Sequence, residues 1–408
     1  MEGSKTVLLV GTLDTKGAEY AYLRDRLRLH GVDAILADAG VNDPVGAEPD
    51  IARGELARET GADPAALAAA GDRGAAVTAM AEAAEALAGR LYAEGRIGGV
   101  LAAGGSGGTA IATRAMRALP VGAPKLMVST MAAGNTADYV GASDVTLMAS
   151  VTDVAGVNSI SARILANAAA AMAGMLLAPP VELGEQRPLV GATMFGVTTP
   201  CVTHARERLE ELGYEVLVFH ATGTGGRAME GLLESGFLGG VLDSTTTELC
   251  DELVGGVFSA GPDRLEAAGR LGLPQVVSLG ALDMVNFGAR ATVPERFADR
   301  NLYVHNPSVT LMRTTPEECA ELGRQIARKL SAATGPTALF VPLAGVSMID
   351  AEGQPFHDPD ADEALFAALR EGLDERVELI EMDCNVNDAG FATAMADKLD
   401  EYMRGRDQ

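Results

Sequence analysis

A glycine-rich loop is the part of this sequence best suited to bind a ligand. It consists of Gly104, Gly105, Ser106, Gly107, Gly108 and Thr109. An apolar run at 99–102 predicts a strand before it, and 110–119 predicts a helix after it. Glycines allow close approach of the backbone, and amides at a helix N-terminus attract anions. We therefore predict an anion site, although the same glycines would also suit a tight strand-to-helix turn.

A second loop follows the first apolar run and contains Gly11, Thr12, Asp14, Thr15, Lys16 and Gly17. Its lysine precedes a glycine instead of following a GxxxxG frame, so it is not a Walker A loop. Lys16 is a candidate phosphate contact, and Asp14 a candidate Mg²⁺ contact through water. Asp38, about 20 residues beyond Gly17, occupies the place where such folds bind a ribose hydroxyl. The alternative is a helix cap at Asp14 and a solvated lysine.

The second half of the chain has comparable loops with more hydroxyl groups. They cover residues 222–226, 243–248 and 259–262. Anion binding and simple helix capping are both open for these loops. Acid–base groups also gather near predicted strand ends, and the candidate catalytic residues are His220, Glu248, Asp283, His305 and Arg313. No spacing such as HExxH is present, so no resident metal site is predicted.

These loops are positioned by βαβ units. Residues 6–37 alternate apolar strand, loop, amphipathic helix and apolar strand, and 190–219 repeat that order. Continuous apolar strands separated by helices are typical of parallel sheets covered on both faces. We predict two Rossmann-like, three-layer α/β domains with mainly parallel sheets, related by internal duplication. The predicted nucleotide-binding domain is 1–180, the second domain with its own ligand site is 188–408, and 178–187 is the linker.

Composition excludes several classes of protein. The chain has 408 residues, of which 48% are hydrophobic and 22% are charged, so it is globular. Its formal net charge of −24 opposes broad nucleic-acid binding. The four cysteines lie far apart and no signal peptide is evident, so we predict a cytoplasmic protein. The longest apolar stretch, 164–178, is too short for a membrane span and predicts a packed helix at a domain or subunit interface.

Nine segments resemble a known family. They are GTLDTKG at 11–17, GGSGGT at 104–109, PKLMVSTMAAGN at 124–135, MFGVTTP at 194–200, FHATGTGG at 219–226, LDSTTTEL at 242–249, SAGPDRLEAA from 259, GALDMVNF at 280–287 and HNPSVTLMRTT from 305. The chain is similar to the Tm-like ATP-binding domain family, the bacterial homologues of the N-terminal part of the plant tomato mosaic virus resistance protein. The likeness covers nearly the whole chain.

The resemblance implies a nucleotide-binding protein that dimerises or forms a higher homo-oligomer. It implies ATP, with Mg²⁺, on the first domain, and a separate barrel-type protein as a partner, because the plant protein carries such a domain. We expect the second domain to bind a small anionic metabolite, with Asp14 or Glu248 as candidate metal contacts. The alternatives are a nucleotide-sensing or partner-binding protein without turnover and, below it, an NAD-dependent dehydrogenase suggested by Asp38. No membrane partner is expected.

Overall fold

The computed structural model describes residues 4–179, 181 and 186–406. The chain forms two compact units, Met1–Glu182 and Leu183–Gln408. Part of the predicted linker, residues 180 and 182–185, lies outside the described residues. Each unit is described by itself.

The first unit contains one sheet and seven helices in its described part. The strands are β1 (Thr6–Gly11), β2 (Asp33–Asp38), β3 (Gly99–Gly104), β4 (Lys125–Ser129) and β5 (Thr146–Ala149). The helices are α1 (Leu13–Leu29), α2 (Arg53–Ala57), α3 (Pro64–Ala70), α4 (Arg73–Ala93), α5 (Ser106–Arg117), α6 (Ala137–Val140) and α7 (Ser161–Leu177).

The first sheet has the order β2-β1-β3-β4-β5, and all of its pairings are parallel. Every residue of β3 and β4 is buried, as expected where both faces of a parallel sheet are covered. Helix α1 packs against α7, and α4 packs against α5. From β1 the chain passes to β2 on one side and later returns to β3 on the other. The carboxyl ends of β1 and β3 therefore form a topological switch point, where such sheets bind ligands.

The second unit is larger and adds a small antiparallel sheet. Its strands are β6 (Leu189–Met194), β7 (Glu215–His220), β8 (Gly240–Thr245), β9 (Gln275–Gly280), β10 (Met284–Phe287), β11 (Leu302–Asn306), β12 (Val309–Arg313), β13 (Thr337–Pro342) and β14 (Glu378–Met382). Its helices are α8 (Thr199–Glu211), α9 (Thr224–Glu234), α10 (Glu248–Val254), α11 (Ala267–Arg270), α12 (Pro316–Ser331), α13 (Pro359–Gly372) and α14 (Ala389–Arg406).

The main sheet of the second unit has the order β14-β13-β9-β8-β6-β7, again with parallel pairings. Starting from β7, its first five strands repeat the order of the first sheet, as the predicted duplication requires. The three strands of the antiparallel sheet β10-β12-β11 come between β9 and β13 along the chain. The predicted α/β class with mainly parallel sheets is confirmed, and the inserted sheet is an addition that the repeat pattern did not indicate.

The apolar stretch at 164–178 forms most of α7, as predicted. Leu165, Ala168 and Met172 are fully buried, whereas Met175 and Leu177 are 36% and 44% exposed. Among the described helices, none is both long and apolar enough to cross a membrane.

Candidate functional site

A cavity of about 360 Å³ opens at the carboxyl ends of β1 and β3 in the first unit. It brings together the two loops that the sequence singles out, and we call it the glycine-loop cavity. Its lining consists of Thr12, Asp14, Thr15, Ala39, Gly40, Val41, Asn42, Leu67, Ala68, Gly71, Asp72, Arg73, Ala76, Val77, Met80, Gly107, Gly108 and Ile111. Its volume is within the range of small-molecule sites, roughly 300–1,000 Å³.

The N-terminus of α5 faces this cavity without a capping side chain. The Thr109 amide donates to the Gly105 carbonyl at 2.8 Å. The amides of Ser106, Gly107 and Gly108 have no acceptor in the part of the chain that the structure describes. Three free N–H groups at the positive end of a helix form an anion-binding arrangement.

The glycines of the two loops serve different purposes. A Cβ atom at Gly11 would lie 2.1 Å from the Tyr20 ring, and one at Gly17 would lie 2.0 Å from the Val45 carbonyl oxygen. These two glycines are therefore required by packing. At Gly107 a Cβ atom would come no closer than 3.4 Å to Val77, and at Gly108 the nearest atom is 4.0 Å away. The cavity-facing glycines have room for a ligand.

Gly104 and Gly105, at the start of the glycine-rich loop, do not line the cavity. A Cβ atom at Gly104 would lie 3.2 Å from the Gly108 Cα, so this glycine serves the tight strand-to-helix turn. Gly104 thus belongs to the predicted turn, whereas Gly107 and Gly108 belong to the predicted anion site.

Asp14, Thr12 and Thr15 present polar atoms to the glycine-loop cavity. The Asp14 carboxylate accepts from the side-chain amide of Asn42 at 3.2 Å. The hydroxyls of Thr12 and Thr15 lie 3.0 Å apart. The second carboxylate of the lining, Asp72, caps α4 by accepting from the Ala75 amide at 3.0 Å. Such a site suits Mg²⁺, which is commonly held by one or two carboxylates together with substrate phosphates.

Two of the predicted ligand-binding side chains, those of Lys16 and Thr109, are used by the fold instead. Lys16 donates from Nζ to the Val154 carbonyl and does not line the cavity. The Thr109 hydroxyl bonds to the Gly105 carbonyl at 2.8 Å and to the Ser129 hydroxyl at 2.7 Å. The tertiary contacts of both side chains replace the phosphate contacts expected from their spacing.

Asp38 is fully buried and joins β2 to the start of α1. Its Oδ1 accepts from the amides of Leu13 at 3.1 Å and Gly40 at 2.9 Å. Burial raises the pKa of Asp38, and these two hydrogen bonds oppose that shift. A ribose hydroxyl requires an accessible acceptor, so this placement replaces the predicted ribose contact with a structural role.

Arg73 is the residue of the glycine-loop cavity that the sequence did not single out. It begins α4, and its Nη2 would lie 3.9 Å from a Cβ atom at Gly107. Arg73 forms neither an ion pair nor a hydrogen bond with any described residue, so its guanidinium is available to an anion at the α5 amides. Leu67, Val77 and Met80 add apolar lining to the same cavity. Arg73 is the first residue of a helix that is distant in sequence from the two loops, so no local sequence motif marks it as a site residue.

In the second unit, the loop at 222–226 is filled by a side chain of the protein itself. Glu248 accepts through Oε1 from the amides of Gly223 at 2.7 Å and Gly226 at 3.1 Å. Its other oxygen accepts from Arg264 Nε at 2.6 Å. Glu248 and Arg264 are 0% and 1% exposed. Glu248 is therefore an internal anion at the N-terminus of α9, and its predicted catalytic or metal-binding role is not supported by this burial.

Arg264 completes this network with a bidentate pair to Asp243, at 2.5 and 2.7 Å. Although burial opposes the charged form, Asp243 and Glu248 raise the pKa of Arg264 well above its usual value. The threonine row at 245–247 is also fully buried, and the Thr245 hydroxyl bonds to that of Thr198 at 2.8 Å. The hydroxyl-rich loop is thus internal.

Asp283 and Arg313, two of the candidate catalytic residues, lie in a second buried cluster. Arg313 donates to Asp362 at 2.7 Å, to Asp350 at 3.2 Å and to the Phe356 carbonyl at 2.7 Å. Burial raises the pKa of Asp283, and Arg313 opposes that shift. Only Asp362 of this cluster reaches a cavity, which has a volume of about 650 Å³.

That cavity is lined by Leu343, Ala344, Gly345, Glu352, His357, Pro359, Asp362, Glu363, Phe366 and Arg370. Three carboxylates against one arginine and one histidine do not favour the small anion expected for the second domain. The other two candidate catalytic residues lie elsewhere. His220 is exposed, with its ring centre 5.4 Å from that of Phe195, and His305 is exposed on β11. Thus the five candidates do not form one site.

Among the described residues, no group of three or more His, Cys, Asp or Glu side chains is placed to hold a metal ion. The free cysteines Cys201, Cys250 and Cys319 are buried. Burial raises the pKa of Cys201 to about 12, so its thiol is not activated.

Comparison with known proteins gives relatives along the whole chain. A UPF0261 protein of Clostridium tetani is 53% identical over 98% of this chain and 99% of its own length. A UPF0261 protein of Rhizobium meliloti is 50% identical over 96% and 97%. The ToMV resistance protein Tm-1(GCR237) of Solanum lycopersicum is 45% identical over 80% of this chain and 44% of its own length.

Solved structures give weaker likenesses. The Streptomyces sp. SF2575 glycosyltransferase SsfS6, complexed with thymidine diphosphate, is 12% identical over 99% of both chains with a TM-score of 0.18. The S. aureus MnaA–UDP co-structure is 9% identical over 88% of this chain and 94% of its own, with a TM-score of 0.23. These scores are too low to support an argument.

The family models agree with the sequence relatives. The N-terminal domain model of the uncharacterised protein family UPF0261 matches residues 5–180, and the C-terminal domain model matches residues 187–403. The predicted relation to bacterial homologues of the tomato protein is confirmed, and the chain belongs to the UPF0261 family.

Proposed function

We propose that the first unit binds ATP, or a closely related nucleotide, in the glycine-loop cavity. One observation carries this proposal: the free amides of Gly107 and Gly108 and the unpaired Arg73 lie at one cavity at the switch point, and the free Ser106 amide belongs to the same helix N-terminus. Such an arrangement attracts an anion even in a chain of net charge −24, because amide dipoles and a guanidinium act at short range. The resemblance supplies the choice of ATP.

Each part of the cavity then has a role. The α5 amides and Arg73 would hold phosphate oxygens, while Leu67, Val77 and Met80 would contact the base. Asp14 would hold Mg²⁺, and the metal would supply charge neutralisation to those phosphates. The chain's own polar atoms would orient the nucleotide, because the Thr12 and Thr15 hydroxyls line the same cavity.

Nucleotide binding would serve an ATP-dependent enzyme of small-molecule metabolism or a sensor without turnover. Internal groups of the protein occupy the predicted second site at the N-terminus of α9. This occupancy favours a sensor without turnover over an enzyme that binds a metabolite at that site. Phosphate release measured with the ATP-bound protein separates the two activities. The homo-oligomer, the barrel-type partner and the cytoplasmic location stay predictions.

The test is isothermal titration of the purified chain with ATP and Mg²⁺, compared with Gly107→Asp. A Cβ atom at Gly107 would lie 3.4 Å from Val77 and 3.9 Å from Arg73 Nη2, which are ordinary van der Waals distances, so the variant should fold. Its carboxylate would occupy the amides and pair with Arg73, and we expect a loss of affinity of at least about 100-fold, since buried charge repulsion costs several kcal/mol. Gly54→Asp is the matched control, because Gly54 is also the second residue of a helix and has open space around it.

Equal affinity of the wild type and Gly107→Asp, or no ATP binding by the wild type, would overturn the proposal. The same titration with NAD tests the dehydrogenase alternative. Mass spectrometry of small molecules released from protein purified without added ligand gives an independent answer, because a retained adenosine phosphate would be identified directly.

A further inference from the structure

A separate cavity of about 460 Å³ in the first unit uses a sequence motif that the proposed function leaves unexplained. It lies between α4, α5 and the loop after β4, and we call it the α4–α5 cavity. Its lining consists of Val77, Thr78, Ala81, Ala110, Thr113, Arg114, Arg117, Met131, Asn135, Asp138 and Tyr139. Met131 and Asn135 belong to the long motif at 124–135.

Arg117 lines this cavity and forms no ion pair with a described residue. Its Nη1 donates to the Asp138 carbonyl at 3.4 Å, a weak contact. In the described ranges no carboxylate lies within ion-pair distance of Arg117, whereas its neighbour Arg114 pairs with Glu85 at 2.6 Å and Glu82 at 3.4 Å. Burial lowers the pKa of Arg117, Glu85 partly restores it and Arg114 lowers it further. Arg117 is an exposed residue whose guanidinium has no described carboxylate within ion-pair distance, so it is available to pair with a bound anion.

The other polar groups of the cavity add hydrogen-bond donors. The Oδ1 atom of Asn135 accepts from the Ala137 amide at 3.2 Å, which leaves the Asn135 NH₂ group as a donor. Tyr139 also lines the cavity. Arg114 is already paired with Glu85 and Glu82, so Arg117 is the lining cation left for a ligand.

We propose that the α4–α5 cavity binds a small oxyanion, a carboxylate or a phosphate, with Arg117 as its main charge partner. Guanidinium groups bind both oxyanions through two parallel N–H···O bonds, and the Asn135 amide and Tyr139 hydroxyl supply further donors. The site is distinct from the glycine-loop cavity, although Val77 lines both. It does not depend on nucleotide binding.

The test measures binding of inorganic phosphate and of malonate by titration calorimetry, at constant ionic strength in chloride. Arg117→Gln should weaken the binding of one or both anions by about tenfold or more, because a hydrogen bond to a charged group contributes that much to the binding free energy. Arg117→Lys keeps the charge and should lose less. Arg163→Gln is the matched control, because it changes the net charge by the same amount and Arg163, on α7, lines neither cavity.

The Arg73→Gln variant shows which of the two cavities binds the anion. Binding that falls in Arg117→Gln and persists in Arg73→Gln and Arg163→Gln supports the site. Binding lost in Arg73→Gln but kept in Arg117→Gln, equal loss in Arg163→Gln, or no binding of either anion by the wild type overturns it. A thermal melt without anion checks folding, and Arg117→Gln should melt no lower than the wild type because it removes an uncompensated charge. A clearly lower melt would instead mean a structural role.

Discussion

The two units share a strand order but differ in what contacts the amides at the N-termini of α5 and α9. In the first unit, the amides at the start of α5 open on a cavity beside the unpaired Arg73. In the second, Glu248 occupies the amides at the start of α9, and Arg264 neutralises it inside the protein. Both helix N-termini favour an anion, and among the described residues only the second unit supplies one of its own. This difference is the physical reason to look for the nucleotide in the first unit.

The largest effect is expected from Arg264→Met, which leaves Asp243 and Glu248 buried without their counter-charge. Breaking a buried ion pair in this way costs about 3–5 kcal/mol of unfolding free energy. Urea unfolding followed by circular dichroism measures the loss. A loss below about 1 kcal/mol would mean that the network is solvated, and the contrast between the two units would fail.

Glu230→Gln should change the pH dependence of stability. Burial raises the pKa of Glu230 from 4.5 to about 7, with Arg264 opposing that shift. The folded state then binds more protons than the unfolded state between these values, so the wild type loses stability as pH rises, by up to about 1.4 kcal/mol per pH unit. The variant lacks this titration. Unfolding at several pH values measures the difference, and parallel wild-type and variant curves would contradict it.

Matched glycine substitutions compare the two helix N-termini directly. A Cβ atom at Gly226 would lie 2.1 Å from Glu248 Oε2, so Gly226→Ala should cost about 1–3 kcal/mol through overpacking. At Gly107 the nearest atom is 3.4 Å away, and Gly107→Ala should be neutral or stabilising by up to about 1 kcal/mol, because alanine favours a helix. Equal changes in unfolding free energy would show that both N-termini are equally filled.

The smallest change in stability is expected for Arg73→Gln, within about 0.5 kcal/mol, because Arg73 has no partner in the described ranges of the chain. The same variant should weaken ATP binding by about tenfold, since a charged hydrogen bond to phosphate is lost. Thermal unfolding and titration calorimetry on one preparation measure both. A stable variant with unchanged affinity would remove Arg73 from the site.

Much of the architecture could be predicted because it depends on local patterns. The apolar runs at 6–10 and 99–102 correspond to β1 and β3, and the glycine-rich loop begins α5. The repeat of that pattern predicted a second, mainly parallel sheet. Arg73 and Arg264 were missed as site and network residues, since each meets its partners only after distant segments pack together.

The two parallel sheets and the loops at their carboxyl ends follow from hydrophobic periodicity and glycine content, because these act over short distances along the chain. Which loops are available to a ligand depends on the packing of distant segments. Lys16, Thr109 and Glu248 are polar residues of the expected types, yet packing directs each to an internal partner. A buried polar group must be paired, and its partner is chosen by the fold in three dimensions.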